Sequence, residues 1–255
     1  MNLKDFFAEN NKIALGFSGG TDSSYLLYAA QKYGADIKAY YVKTQFQPDF
    51  ELEDAKRLAN ETGAKLTVLY YDILQYDEIS KNPKNRCYYC KNKIFKLIKE
   101  QALSDGYTTI IDGTNASDAY DDRPGMKALC ELEVKSPLRL CGLTKADVRS
   151  LSKEAGIFTW NKPAYACLAT RVSAGNEITV DRLLKIEKAE NILFKMGFTD
   201  FRVRLYYDTA KLQFNESEME KAFKMRNEIY NRLKVCFDDI LMDLKGRQNY
   251  ESSRN

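Results

Sequence analysis

Apolar and polar positions along this chain alternate between two kinds of segment. Residues 13–17 (IALGF) form a short, almost wholly apolar run, the pattern of a strand buried on both faces. Residues 23–33 place Leu26, Leu27 and Ala30 on one helical face. The alternation continues with a strand expected over 37–42, a helix over 50–62 and a strand over 65–71. A helix over 91–103 and a short strand over 109–111 follow, then a helix over 145–155. Strands that alternate with helices predict a parallel sheet covered on both faces. Ligands of such sheets bind beyond the carboxyl ends of the strands.

The pattern changes further on. Residues 158–176 read as irregular. A long helix is expected over 180–196, an alternating strand over 201–207 and a pairing strand over 211–214. A helix over 216–233 and a short strand near 240–244 complete the pattern, before a polar tail over 248–255. These features predict two domains, 1–172 and 173–255, the second a small α+β domain serving substrate binding and self-association. No internal repeat is visible.

Bulk properties narrow the function classes. The 255 residues suffice for a substantial core, and the net charge of +3 is too small to make nucleic acid the expected partner. No apolar run reaches the roughly 20 residues that span a bilayer. The polar residues 1–11 show no signal-peptide pattern, so a cytoplasmic location without membrane association is expected. The chain has six cysteines and no histidine. Any metal would therefore rest on thiolates or carboxylates, and proton transfer would use Asp, Glu, Lys, Tyr or water.

Ser18-Gly19-Gly20-Thr21-Asp22-Ser23 follows the first strand directly. Glycines let the backbone turn sharply against a ligand, and helix-start N–H groups attract an anion. Ser18 and Ser23 add hydroxyls, and Asp22 beside phosphate implies a bridging Mg²⁺. No Gly-Lys-Ser/Thr follows, so the loop is not of the Walker type. The alternative is an ordinary capped strand–helix turn. The loop resembles the PP-loop of N-type ATP pyrophosphatases, and the resemblance implies an adenine nucleotide α-hydrolase-like domain. Those enzymes cleave ATP between the α- and β-phosphates and form adenylates.

Cys87 and Cys90 form a C-x-x-C pair flanked by Arg86 and Lys91, and Cys167 lies in the irregular stretch. Cations beside thiols in general favour the thiolate form. Two readings stay open on spacing alone. Three thiolates can hold a [4Fe-4S] cluster with one iron open, or the pair is redox-active or incidental and Cys167 packs as a small hydrophobe. Cys130, Cys141 and Cys236 sit among apolar neighbours and read as core.

A series of separated blocks resembles the LarE family of ATP-dependent sulfur transferases. They are Asp112-Gly113-Thr114-Asn115, Arg123-Pro124-Gly125, Ser136-Pro137-Leu138, Leu143-Thr144-Lys145, Lys162-Pro163 and Cys167-Leu168-Ala169-Thr170-Arg171. The resemblance implies that ATP adenylates a carboxylate of pyridinium-3,5-biscarboxylic acid mononucleotide, a nickel-pincer cofactor precursor. Sulfur then displaces AMP to leave a thiocarboxylate. Some members sacrifice the cysteine matching Cys167; members with all three cysteines use a [4Fe-4S] cluster carrying sulfide. The resemblance therefore implies Cys87, Cys90 and Cys167 as cluster ligands, with Cys167 and Asp22 as catalytic residues.

It also implies ATP contacts at Ser18, Gly19, Gly20, Asp22, Ser23, Gly113 and Asn115, with Asp112, Thr114 and Asp118 on the same loop. Val42 and Lys43, at the end of the second strand, are expected at the adenine. Arg202 and Arg204 match an Arg-x-Arg that contacts substrate phosphate, with Glu190 nearby. The family often has a histidine after these arginines, where this chain has Tyr206 and Tyr207. Arg171 is expected at the anion, with a salt bridge to its own loop as the alternative. The expected partners are a nucleotide-like small molecule, sulfide or another sulfur donor, and further copies of the chain in a homo-oligomer. A tRNA thiolase and a nucleotide sensor are the competing readings.

Overall fold

The computed structural model describes residues 1–118 and 124–247. Arg123, in one of the family-like blocks, and the tail 248–255 lie outside the described residues. The chain divides into two compact units. The first comprises Met1–Ile79 and Lys84–Ala164; the second comprises Ser80–Pro83 and the chain from Tyr165 onward.

The first unit begins with α1 (Leu3–Glu9), β1 (Lys12–Gly16), α2 (Thr21–Lys32), β2 (Asp36–Lys43), α3 (Asp49–Thr62) and β3 (Lys65–Tyr70). It continues with α4 (Asp77–Ser80), α5 (Arg86–Ser104), β4 (Thr109–Ile111), α6 (Pro124–Glu131), α7 (Pro137–Leu140) and α8 (Lys145–Glu154). A 3₁₀ turn, Phe158–Asn161, ends it. The strands are all parallel in the order β3-β2-β1-β4.

Each strand feeds both faces of this sheet. Ile13 and Leu15 of β1, Ala39 and Tyr41 of β2 and Ile111 of β4 join the core shared with α1, α2 and α8. Ala14, Tyr40, Val42 and Ile110 point the other way, into the core shared with α5 and α6. The period of two thus explains why β1 reads as continuously apolar. Because β1 lies between β2 and β4, the chain reverses its direction of winding there. The crevice at the carboxyl end of β1 is the ligand position of such sheets, and the PP-loop occupies it.

Several elements depart from the sequence expectation, among them the short helices α4, α6 and α7, which it did not include. The polar-looking N-terminus forms α1, where Leu3, Phe6 and Phe7 are buried on one face behind an Asn2–Asp5 capping box. Helix α5 starts at Arg86 rather than residue 91, because the Arg86 side chain is buried and extends the inward face. The C-x-x-C pair therefore lies in the first turns of a helix.

The second unit holds a 3₁₀ turn (Leu168–Arg171), α9 (Val180–Lys195), β5 (Phe201–Tyr206), β6 (Thr209–Phe214), a 3₁₀ turn (Glu216–Glu218), α10 (Met219–Lys224), α11 (Arg226–Leu233) and β7 (Ile240–Met242). The order is β5-β6-β7, with an antiparallel hairpin and a parallel third strand. Leu183, Ile186, Ala189 and Leu193 of α9 are buried, and Phe198 packs on Phe214 with ring centroids 4.8 Å apart. The single helix expected over 216–233 is three pieces, broken at Met225 without glycine or proline. Asn82, from the upstream piece, donates to the carbonyls of Val172 and Ser173 at 3.2 and 2.9 Å, which ties that piece to this unit. Among the described residues no helix is long and apolar enough to cross a membrane.

Candidate active site

In the first unit the PP-loop turns sharply between β1 and α2. Gly19 adopts φ +70°, in the left-handed region, and its Cα face meets α3, where a Cβ would lie 3.2 Å from Ala55. Gly20 is the N-cap of α2 and supplies no side-chain cap. The first N–H groups of the helix therefore lack the usual internal acceptor. Ser18 and Ser23 hydroxyls stand 3.1 Å apart, and Ser23 Oγ donates to the Gly20 carbonyl at 3.2 Å. Thr21 Oγ1 donates to the Thr159 carbonyl at 2.7 Å and anchors the loop to the 3₁₀ turn. That turn is held in its own right by Arg149, which donates to the carbonyls of Trp160 and Lys162 at 3.1 and 2.9 Å.

Gly113 brings the loop after β4 against the same helix start. A Cβ there would lie 2.9 Å from the Ser23 backbone nitrogen, so only glycine allows this approach. The rest of that loop is internally bonded. Asp112 accepts from Ser136 Oγ at 2.6 Å and from Thr114 Oγ1, while Asn115 N–H donates to Asp118 at 3.1 Å. Val42 is buried at the end of β2, and Lys43 pairs with Asp49 at 2.8 Å and donates to the Gln47 carbonyl.

Asp22 is the electrostatically exceptional member. Its Oδ1 is buried with no hydrogen-bond partner. Burial first, then the charge of Asp118, push its carboxyl from 3.8 up to about 6. A hydrogen bond from Asn115 and the cations Lys145 and Arg149 act in the opposite direction. An orphaned carboxylate oxygen on a residue that feels a second carboxylate, beside a phosphate loop, fits Mg²⁺, which takes one or two carboxylates together with substrate phosphates. Asp22 and Asp118 are the residues that would hold it.

The second unit carries a cluster of arginines. Arg171 and Glu190 form a buried bidentate pair at 2.8 and 3.2 Å, each side chain only 1% exposed. Glu190 also accepts from Tyr165 Oη and from the Val203 N–H, the latter at 2.9 Å. Arg171 donates to the Ala166 carbonyl at 2.9 Å and thereby holds the turn that carries Cys167. The salt bridge of Arg171 thus runs to Glu190 on α9 and not to its own loop, where it donates to neutral acceptors, the Ala166 carbonyl and Thr170 Oγ1. Glu190 anchors the same turn.

Arg202 and Arg204 project from one face of β5, two residues apart. Arg202 is buried; its Nη1 donates to the Phe201 carbonyl at 2.6 Å, and its guanidinium stands 5.2 Å from the Tyr165 ring. Burial, then Arg171 and Arg247, push Arg202 from 12.5 down to about 10. Arg204 is lowered by the same causes, burial first. It donates to Gln213 Oε1 at 2.6 Å and to the Thr170 carbonyl at 2.9 Å. An anion beside these guanidiniums would relieve that repulsion. The sequence reading missed Arg247 because it lies far downstream, outside any motif.

The six cysteines are in no disulfide. Cys87 and Cys90 lie one turn apart near the start of α5, with Arg86 Nη2 3.9 Å from Cys87 Sγ. Cys167 is partly exposed in the second unit. The thiol chemistry suits iron–sulfur ligation. Among the described residues no three ligating side chains are grouped as a metal site.

The chain is similar to known proteins. The asparagine synthase family model matches residues 8–81, the segment around the PP-loop. Uncharacterized protein slr1717 of Synechocystis sp. is 33% identical over 99% of this chain and 96% of its own length. The pyridinium-3,5-bisthiocarboxylic acid mononucleotide synthase of Lactiplantibacillus plantarum is 30% identical over 96% of this chain and 88% of its own. The tRNA-specific 2-thiouridylase MnmA of Ruthia magnifica is more distant, 27% identical over 60% of this chain. A phosphate loop that uses ATP and Mg²⁺, joined to a match along nearly the whole of a sulfur-inserting synthase, leads to one conclusion: the chain belongs to the LarE family of ATP-dependent, sulfur-transferring enzymes.

Proposed function

We propose that this enzyme adenylates a carboxylate of pyridinium-3,5-biscarboxylic acid mononucleotide and replaces its oxygen with sulfur, in the cytoplasm, on the route to a nickel-pincer cofactor. The match to the Lactiplantibacillus plantarum synthase carries this reading. Ser18 to Ser23 and Gly113 bind the ATP phosphates, and Asp22 with Asp118 holds Mg²⁺ against them. The adenine lies at Val42 and Lys43, and Asn115 supports Asp22. Arg202 and Arg204 hold the substrate's phosphate.

The substrate carboxylate attacks the α-phosphorus, the α–β bridge bond breaks, and pyrophosphate leaves with that electron pair. The acyl-adenylate turns a poor leaving oxygen into AMP. A sulfur nucleophile then adds to the carbonyl carbon and AMP departs, leaving a thiocarboxylate. We assign Cys87, Cys90 and Cys167 as the ligands of a [4Fe-4S] cluster. When bound, it supplies the sulfide nucleophile, so no histidine is needed. Glu190 and Arg171 keep the Cys167 turn in place.

The test is an anaerobic turnover with ATP, Mg²⁺, sulfide and the biscarboxylic mononucleotide. AMP and pyrophosphate should form only with that substrate, and its mass should shift by one oxygen-to-sulfur exchange. Turnover without iron, with Cys167 losing H₂S, would replace the cluster route by sacrifice of Cys167. Pyrophosphate release that depends on tRNA instead would refute the substrate.

A further inference from the structure

The C-terminal strap, residues 243–247, braces both arginines of β5. Asp243 N–H donates to the Leu212 carbonyl at 2.9 Å, which fixes the strap to β6. The Asp243 carboxylate accepts from Gln213 Nε2 at 2.8 Å, and Gln213 Oε1 in turn accepts from Arg204 Nε at 2.6 Å. Asp243 also pairs with Lys211 at 2.9 Å. At the other end of the strap, Arg247 N–H donates to the Phe214 carbonyl at 2.7 Å. Its Nη1 donates to Asp200 Oδ1 at 2.8 Å, the same oxygen that lies 3.9 Å from Arg202 Nη1.

Gly246 makes this placement possible. A Cβ there would lie 2.7 Å from the Glu216 Cα and would also strike the Glu216 carboxylate. Any side chain at 246 would lift the strap from β6 and carry Arg247 away. The backbone is therefore shaped to deliver one guanidinium beside Asp200.

The local charges do not balance. Arg171 and Arg247 both act on Arg202 and on Arg204, opposed by Glu190 and, at Arg202, by Asp200. At both Arg202 and Arg204, each of these two cations weighs more than each opposing carboxylate. Bringing a guanidinium toward others costs free energy unless an anion offsets it. A phosphomonoester dianion would offset these cations and offers three acceptor oxygens. Arg247 uses one N–H on Asp200 and has others to donate.

We propose that Arg247 is a third anion-binding residue beside Arg202 and Arg204, delivered by the strap to take a phosphomonoester of the substrate. Asp200 is its positioning residue, and Asp243 acts on Arg204 through Gln213. This rests on the assignment of Arg202 and Arg204 to the substrate phosphate.

The test is titration calorimetry of the full chain with nicotinic acid mononucleotide and with its dephosphorylated riboside. Arg247→Gln should weaken mononucleotide binding about ten- to a hundredfold, the worth of a hydrogen bond between charged groups, and leave riboside binding unchanged. Arg247→Lys should recover part of the loss. Arg202→Gln and Arg204→Gln form the control arm. If these two lose mononucleotide binding and Arg247→Gln does not, Arg247 has no role and the substrate assignment stands. If none of the three loses binding, the assignment of the arginines to phosphate fails as well. A parallel fall for mononucleotide and riboside, or a lowered Tm of Arg247→Gln, would reduce Arg247 to a structural residue and overturn the proposal.

Discussion

Asp22 makes the protein less stable where it works. Burial and Asp118 raise its carboxyl from 3.8 to about 6, so the folded state binds the proton more tightly than the unfolded chain does. The contribution of Asp22 to stability is then most favourable below pH 4, falls as pH rises toward 6, and stays lowered above it. The interval corresponds to about 3 kcal/mol, or about 2 kcal/mol after allowing for partial exposure of the side chain. Asp22→Asn removes the charge and keeps the shape. In urea denaturation without Mg²⁺ or nucleotide, the variant should exceed the parent by about 2 kcal/mol at pH 7.5, with the difference vanishing near pH 4. Mg-ATP should stabilise the parent, because the cation offsets the carboxylate, and should lose that effect in the variant. Equal stability of the two proteins at pH 7.5, or a difference that persists at pH 4, would refute the argument. The same substitution should abolish pyrophosphate release.

Three further outcomes follow from geometry. Glu190→Gln leaves the Arg171 guanidinium buried beside a neutral partner and should cost about 3–5 kcal/mol in urea denaturation. Gly113→Ala would press a Cβ onto the Ser23 backbone, 2.9 Å away, and should raise the KM for ATP about tenfold while leaving mononucleotide binding intact. Cys87→Ser and Cys90→Ser should each lower iron and acid-labile sulfide content of anaerobically prepared protein, and Cys236→Ser should not.

The strand–loop–helix at 13–33 was readable because its signals are local. An apolar run, two glycines and a helix face are contiguous, and the backbone conformations they favour are those observed. The expected helix over 91–103 started late because the first turns of α5 carry Arg86 and tyrosines, which look exposed in sequence. In the structure Arg86 is buried, with its guanidinium 5.3 Å from the Phe46 ring. Helix α1 was missed for a similar reason: three apolar residues among polar ones form a face only once a sheet exists to cover it.

The sequence by itself determined the alternating α/β order, the position of the ATP loop and the residue types available for chemistry. These depend on neighbours along the chain. The tertiary structure decided which charges are already committed. Arg171 meets Glu190 across 19 residues, and Asp200 meets Arg247 across 47. It also decided that Asp22 would hold its proton more tightly, because that depends on burial and on Asp118 from a distant loop. Desolvation and Coulomb interaction sum over everything nearby in space, and a linear pattern carries no record of those neighbours.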